Sequence, residues 1–140
     1  MRDAGVGRLL ASGLLAGLVI SLGEFVLNGL LLRREWEATM QSLARPPIGG
    51  AAIVGLNLSC FGLGIFIVLL ASWLQPHFGT PQRSLLTAAV VLWGAAYVIG
   101  FGWSVAMGVF SLGLYLPTLA WSLVELPLAA WAAGFLHRGR

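Results

Sequence analysis

Four long apolar segments dominate the chain and leave only short polar connections between them. They cover about residues 8–32, 50–74, 85–110 and 116–136, here called spans one to four. Each reaches about 20 residues, the length at which a helix rising 1.5 Å per residue crosses about 30 Å of hydrocarbon. The pattern predicts an all-α integral membrane protein, a four-helix bundle that forms a single transmembrane domain over residues 1–140.

The composition agrees with a membrane protein and excludes an ordinary soluble globule. Of 140 residues, 59% are hydrophobic and 9% are charged, and the mean hydropathy is +0.91. Span one is longer than the apolar core of a signal peptide, about 7 to 15 residues, and it contains Glu24, so we interpret it as a membrane span. The single cysteine, Cys60, lies in span two and is interpreted as a packing residue, although the sequence does not define its redox role.

The formal charge is +3. The basic residues lie where they would set the orientation of the chain in a membrane, and they do not form a nucleic-acid-binding surface. All eight basic residues are arginines near span ends. Five fall at the termini and in the second loop, against three in the first loop: Arg2, Arg8, Arg83, Arg138 and Arg140 against Arg33, Arg34 and Arg45. This bias predicts a multi-pass protein of the bacterial inner membrane with both termini in the cytoplasm, surrounded by lipid and without a nucleic-acid partner.

The first loop has the only internal pattern among the connections. Trp36, Met40 and Leu43 are spaced by four and three residues, which places them on one face of a helix. We predict a short amphipathic helix at the membrane interface between spans one and two, ended by Pro46 and Pro47. The alternative is a simple continuation of span one into water.

Small residues spaced by about four mark the faces on which membrane helices approach closely. Two such ladders occur, one in span three and one in span one: Ala96, Gly100, Ser104 and Gly108, and Gly13, Gly17 and Ser21. These faces predict packing within the bundle, with a second copy, or in a larger membrane complex. The span-one ladder leads at helical spacing into Glu24 and Asn28, so Glu24 is expected to point toward other helices.

Two carboxylates, Glu24 and Glu125, lie inside the predicted spans without an adjacent arginine. A charged side chain near the bilayer centre costs at least about 2.5 to 3.5 kcal/mol on insertion scales, so such groups face a partner or a cavity. Either carboxyl group can also be neutral and hydrogen-bonded at pH 7. Counting the helix rise from the middle of each span places Glu24 about 6 Å to the outer side of its centre and Glu125 within about one residue of its own centre, a difference small enough for the two side chains to be neighbours.

The same depth count collects further polar and aromatic side chains in the layer toward the first loop. It predicts a ligand-binding pocket, with Trp93 as a further wall, lined by Glu24, Asn28, Asn57, Tyr97, Trp103, Trp121 and Glu125. Pro127 removes a backbone donor beside the pocket and is expected to bend span four. The alternative is a purely structural cluster in which a neutral Glu24 bonds Asn28 or Glu125 to hold the helices together.

Catalytic chemistry has less support. No nucleophile–base pair or metal-ligand set is visible, and no cofactor follows from the sequence. His77 and His137 fall at span ends on one predicted side, where haem or metal ligation is conceivable, but interfacial histidines are usually solvated.

The order of parts resembles a family of small four-helix bacterial membrane proteins with a domain of unknown function. The likeness covers most of the chain and includes a first span with polar residues near its outer end, a following segment with Trp36 and Met40, and a last span rich in Trp, Ala and Gly. The chain is also similar to the small multidrug resistance transporters, which have four helices and a membrane-embedded glutamate in the first. That second resemblance implies proton exchange and cation binding at Glu24.

The leading expectation is a non-enzymatic protein that binds or moves a small lipophilic or cationic solute through a pocket containing Glu24 and Glu125. The alternative is an accessory or anchoring subunit whose Gly, Ala and Ser faces dock into a larger membrane complex. A membrane enzyme acting on lipid is a third class with the least support.

Overall fold

The computed structural model describes the backbone of residues 2–137 and the side chains of residues 5–136. These residues form helices and contain no strand, which confirms the predicted all-α class. In chain order the helices are α1 (Arg2–Glu24), a first π-helix (Phe25–Leu31), α2 (Arg33–Ser42), α3 (Gly50–Phe78), α4 (Pro81–Leu92), a second π-helix (Trp93–Phe101), α5 (Gly102–Ala106) and α6 (Leu112–His137).

Four stretches of this chain are helical, long and apolar enough to cross a membrane, as the sequence predicts. Spans one to four now have the bounds Gly5–Leu31, Gly50–Phe78, Pro81–Ala106 and Leu112–Leu136. Spans two and three both end before a glycine with a φ of 73°, at Gly79 and Gly108. A side chain would strain the backbone at such a φ, so these glycines allow the sharp turns that follow the helices. Span three consequently ends at Ala106 and not at the predicted residue 110.

The four spans pack as a ring in chain order. Span one contacts spans two and four, and α4 of span three contacts the same two neighbours from the opposite corner. The fully buried centre combines alanines with a few large side chains, among them Ile20, Ile67, Leu85 and Leu126. Most of this centre lies in the half of the bundle nearer the second loop. Large apolar side chains such as Leu18, Phe66 and Trp131 are exposed on the outside, as a lipid environment requires.

Spans one and two approach closely at glycines of span one, which lie against the backbone and side chains of Ile65 and Phe61 in span two. A Cβ atom added to Gly13 would come within 2.7 Å of the Cα atom of Ile65, and one added to Gly17 within 2.6 Å of the Cα atom of Phe61. A Cβ atom on Gly64 would overlap the backbone of Gly17. The predicted contact face of span one is therefore confirmed within the chain.

The predicted ladder of span three makes no comparable contact within the chain. Ala96, Gly100 and Gly108 are all exposed, and a Cβ atom on Gly108 would meet nothing within 4 Å. The expectation that this ladder packs inside the bundle is wrong. The reason is the second π-helix, whose wider turns move residues spaced by four off a common face. A contact with another chain stays a prediction.

The first loop contains the predicted short helix, α2. Trp36 and Met40 are partly buried, Thr39 is buried, and Leu43 is exposed. The rings of Trp36 and Phe110 meet edge to face with centroids 5.7 Å apart. The helix therefore folds back over the end of the bundle and does not continue span one into water.

Candidate functional site

Glu24 of span one and Glu125 of span four are neighbours, and their side chains are in hydrogen-bonding contact. We call these two groups the carboxyl pair. Glu125 is only 5% exposed. Its carboxyl group occupies the space that a side chain at Gly23 would need, because a Cβ atom built there would overlap it. The small residue before Glu24 is therefore what allows span four to bring its glutamate against span one.

Every hydrogen-bond donor that the described residues offer to the carboxyl pair is a neutral side chain. The Tyr97 hydroxyl donates to Glu24 Oε1 at 3.1 Å, and the Asn28 amide donates to Glu24 Oε2. The indole nitrogen of Trp121 donates to Glu125 Oε2 at 2.8 Å. Glu125 Oε1 is buried and receives no donor. A proton held between the two carboxyl groups would supply one.

No basic side chain neutralises the pair within the described part of the chain. The ion pair that these residues form joins Arg33 to Glu37 at 3.0 Å, and both of its members are exposed in the first loop. Two ionised carboxylates in contact would repel each other strongly in a medium of low dielectric constant. The pair must therefore hold a proton or receive a cation.

Both π-helices lie beside the carboxyl pair. The first begins directly after Glu24, and the second contains Tyr97 near its middle. In the first, the backbone amide of Leu32 reaches the carbonyl of Leu27 at 2.7 Å, one residue further back than in an α-helix. Such wide turns are rare and are frequent at functional sites. A pattern read at 3.6 residues per turn does not reveal them.

The structure brings most of the predicted site residues together. Glu24, Asn28 and Tyr97 form one hydrogen-bonded group, and Trp121 joins it through Glu125. Trp93 lies nearby on the same helix as Tyr97, and its indole nitrogen donates to the carbonyl of Leu119 at 3.1 Å, tying span three to span four. Their role as ligand-binding residues remains a prediction.

Two predicted members do not reach the carboxyl pair. Asn57 lies on the contact between spans one and two, where it accepts a hydrogen bond from Ser21 and donates to the carbonyl of Ile53 at 2.9 Å. Trp103 is 69% exposed on the outside of span three. The expectation that Trp103 lines the same pocket as Tyr97 is corrected, because the second π-helix rotates every residue that follows it.

The bend of span four expected at Pro127 stays a prediction. α6 runs without interruption from Leu112 to His137, with both Pro117 and Pro127 inside the helix. The missing donor at Pro127 therefore does not break the helix beside Glu125.

Sequence reasoning missed Trp36 as a neighbour of the site. Its indole nitrogen donates to Asn28 Oδ1 at 2.8 Å, so a continuous series of side chains leads from the first loop to Glu24. The available signal was an indole and an amide eight residues apart, which lie about 12 Å from each other along the axis of one straight helix. Only the fold of α2 back onto the bundle brings them together.

Aromatic rings close the end of the bundle above this series. Trp36 contacts Phe110, and the rings of Phe110 and Phe101 have centroids 5.2 Å apart. Phe101 in turn contacts Tyr115 at 5.5 Å. All three contacts are edge to face, the arrangement that aromatic quadrupoles favour. We call these four residues the aromatic cap.

A groove of about 340 Å³ lies between α2 and the turn that follows α5, and it is separate from the carboxyl pair. Glu35 lines this groove. Its Oε2 atom is 3.3 Å from the position of a Cβ atom on Gly113, beside the first turn of α6. A carboxylate is stabilised at a helix N-terminus, so the position of Glu35 is explained by the fold.

Comparison with known proteins finds no match for this chain. No family model matches it, and no curated protein or solved structure matches it either. The resemblances to the four-helix family and to the small multidrug resistance transporters therefore stay predictions. The carboxyl pair is the feature of the chain that points to a function.

Proposed function

We propose that this chain is a non-enzymatic multi-pass membrane protein that binds or moves a small lipophilic or cationic solute at the carboxyl pair. One observation carries the proposal: two glutamates from different spans are in contact, with only neutral donors and no basic partner among the described residues. A cation at this site would gain the attraction of both carboxylates and would replace the proton that otherwise separates them.

The presence of two glutamates, and not of uncharged polar residues, supports a site that binds protons over a contact that only holds the helices together. Helices can be joined in lipid by serine or asparagine hydroxyl and amide groups, which carry no charge to desolvate. This chain uses such a contact elsewhere, between Ser21 and Asn57. Ionisable groups inside a membrane are expensive and usually mark ion or substrate pathways.

The first test replaces the carboxyl groups by isosteric amides. Glu24→Gln, Glu125→Gln and the double variant keep hydrogen-bonding capacity and should accumulate in the membrane as the wild type does. They should lose binding of the lipophilic amine dodecylammonium to protein reconstituted in phosphatidylcholine nanodiscs. Glu37→Gln, which alters an exposed carboxylate of the first loop, is the matched control and should bind normally. Wild-type binding by the double variant would overturn the proposal.

The proposed location is the bacterial inner membrane, with both termini in the cytoplasm and α2 on the outer face. The distribution of arginines supports this orientation, because positive residues are retained on the cytoplasmic side. In that orientation Glu24 lies about 9 Å outward of the centre of span one, and Glu125 lies within about 2 Å of the centre of span four.

A second candidate function is that of an accessory or anchoring subunit, which docks into a larger membrane complex or a second copy of itself. The exposed small residues Ala96 and Gly100 favour it, because they offer a close approach that no helix in the described part of the chain uses. Purification in a mild detergent followed by mass spectrometry tests it. Stoichiometric protein partners would favour this candidate, and a bound small molecule would favour the first.

A further inference from the structure

Spans two and three separate in the half of the bundle that holds the carboxyl pair. Span two packs against α4, the first half of span three. Leu63 and Leu70 of span two pack against the buried centre. Leu56, two helical turns before Leu63 on the same face, is 59% exposed. All nine residues from Ala51 to Ser59 are exposed.

Span three also changes from buried residues in its first half to exposed residues in its second half. Ala88, Ala89 and Leu92 are buried, but most residues after Tyr97 on the second π-helix are exposed. A Cβ atom added to Gly94 would meet nothing within 4 Å, and the same is true of Gly55 and Gly62 on span two. We call the gap between residues 51–59 and the second π-helix the lateral opening. Cys60 and Tyr97, which pack against the buried centre, lie at its inner limit.

The other approaches to the carboxyl pair are closed in the described structure. The aromatic cap and the bond from Trp36 to Asn28 cover the first-loop end. The buried centre fills the opposite half. Spans one and two meet at Gly13 and Gly17 and are bonded through Ser21 and Asn57. Glu125 fills the contact of spans four and one at Gly23, and the bond from Trp93 to the carbonyl of Leu119 joins spans three and four.

We propose that the solute reaches the carboxyl pair sideways from the lipid, through the lateral opening, and that it is therefore an amphiphilic amine. Its ammonium group meets Glu24 beside Tyr97, and its apolar part lies between spans two and three. This inference rests on the proposed function and adds the route and the class of solute. From Ala51 to Ser59 the opening extends about 12 Å along span two, enough to accommodate an extended apolar chain.

The apolar walls of the lateral opening and the carboxylate at its inner end favour an amphiphilic amine over other solutes. The walls of the opening are apolar or small, with Asn57 and Ser59 already bonded to Ser21 and to the carbonyl of Gly55. Tyr97, at the inner limit of the opening, donates a hydrogen bond to Glu24. The Glu24 carboxylate lacks a basic partner in the described residues. A lipid acyl chain alone would leave this carboxylate unpaired, and a hydrophilic cation would have to cross the apolar walls without its hydration shell.

The test uses the full chain in phosphatidylcholine nanodiscs and two radiolabelled amines with the same ammonium group, dodecylammonium and methylammonium. Wild-type protein should bind dodecylammonium at least ~100-fold more tightly than methylammonium, because the long chain concentrates in lipid. Empty nanodiscs and the double Gln variant correct for partitioning into the bilayer.

Ala96→Trp narrows the opening and should slow dodecylammonium association by about tenfold or more, since the solute must then wait for the helices to separate. Ala120→Trp, on the exposed face of span four, is the matched control and should stay within about twofold of wild type. If Ala96→Trp fails to accumulate, a nitroxide at residue 96 in a Cys60→Ala background replaces it. Its accessibility to oxygen should fall on amine binding, whereas that of a nitroxide at residue 120 should not.

Two outcomes would overturn the inference, and they are distinguishable. Equal affinity for both amines, abolished by Glu24→Gln and unaffected by Ala96→Trp, would show access from water and leave the proposed function intact. Binding of neither amine above the double Gln background would contradict the proposed function and the lateral route together.

Discussion

The amide of Asn28 joins two groups that belong to different parts of the molecule: it accepts a hydrogen bond from Trp36 at 2.8 Å and donates one to Glu24. Because Trp36 is in the first loop and Glu24 is in span one, the orientation of a membrane-embedded carboxyl group depends on a residue outside the spans. The loop helix is thereby part of the site's construction, even though none of its side chains contacts the carboxyl pair directly.

Trp36→Phe should test this dependence. Phenylalanine keeps an edge contact with Phe110 but cannot donate to Asn28, so thermal unfolding in mild detergent should show a loss of about 0.5 to 1.5 kcal/mol. Amine binding should weaken as well, because the Asn28 amide becomes free to turn away from Glu24. Trp73→Phe is the control, since Trp73 is 78% exposed, and it should be neutral. Equal effects of the two substitutions would contradict the proposed coupling.

The two carboxyl groups should behave as one unit in a double-mutant cycle. Glu24→Ala should cost about 0.6 to 2 kcal/mol for each interhelical bond lost, and Glu125→Ala should have a similar effect. The double variant should cost less than the sum by about 0.5 kcal/mol or more, because each single change already removes the shared contact. Pairing Glu24→Ala with Glu37→Ala should give additive losses. Additivity in the first cycle would mean that the two groups do not interact.

Amine binding should release a proton, because the ammonium group and the proton compete for the same carboxyl oxygens. The affinity should therefore fall as the pH is lowered through the range in which the pair takes up its proton. Calorimetry in two buffers of different ionisation enthalpy measures the number of protons released. Glu37→Gln should release as many as wild type, whereas a single Gln at position 24 or 125 should show no measurable release, because it should not bind the amine. Unchanged release in both single variants would assign the proton to another group.

Gly23→Ala should disrupt the site at its tightest point. The added Cβ atom would overlap the Glu125 carboxyl group, so the Glu125 side chain must leave its position or span four must move away from span one, at a cost of about 1 to 3 kcal/mol. Gly94→Ala meets open space and serves as the control, with an expected change within about 0.5 kcal/mol. Thermal unfolding of both variants in the same detergent gives the comparison. Equal stability of the two would show that the contact at Gly23 is loose.

Cysteine labelling in a Cys60→Ala background checks the orientation. A cysteine at Gln41, exposed on α2, should react with a membrane-impermeant maleimide added to intact cells. A cysteine at His77, exposed near the second loop, should react only after permeabilisation. The reverse pattern would put Glu24 in the cytoplasmic half of the bilayer. Thr39 is unsuitable for labelling because it is buried.

The sequence predicts the features that depend on regular helix geometry. A constant rise per residue is enough to place Glu24 and Glu125 within about two helical turns of each other in depth, and the spacing of Gly13 and Gly17 identifies a contact face because α1 is an uninterrupted α-helix. The contact between the glutamates follows from these two facts together with the small residue at Gly23.

Features that depend on departures from regular geometry could not be predicted in this way. The depth of Trp103 along a regular helix predicts that it lines the pocket, but seven-residue and nine-residue π-helices occur in spans one and three. Nothing in the apolar sequence of Trp93–Phe101 distinguishes a wide turn from a normal one. The contact of Trp36 with Asn28 is a matter of tertiary folding, since it requires the chain to reverse direction after Leu32.

The backbone contact between spans one and two determines which parts of the bundle can move. Gly13, Gly17 and Gly64 are in direct contact, and the side chains of Ile65 and Phe61 lie against the first two glycines, so one helix cannot slide past the other without a clash. We therefore expect spans one and two to behave as a rigid body that carries Glu24 with it. The hinge for any opening motion then belongs to the second π-helix, whose turns are already widened, so that alternation between an empty and a filled state would be a bending of span three against a fixed pair of helices.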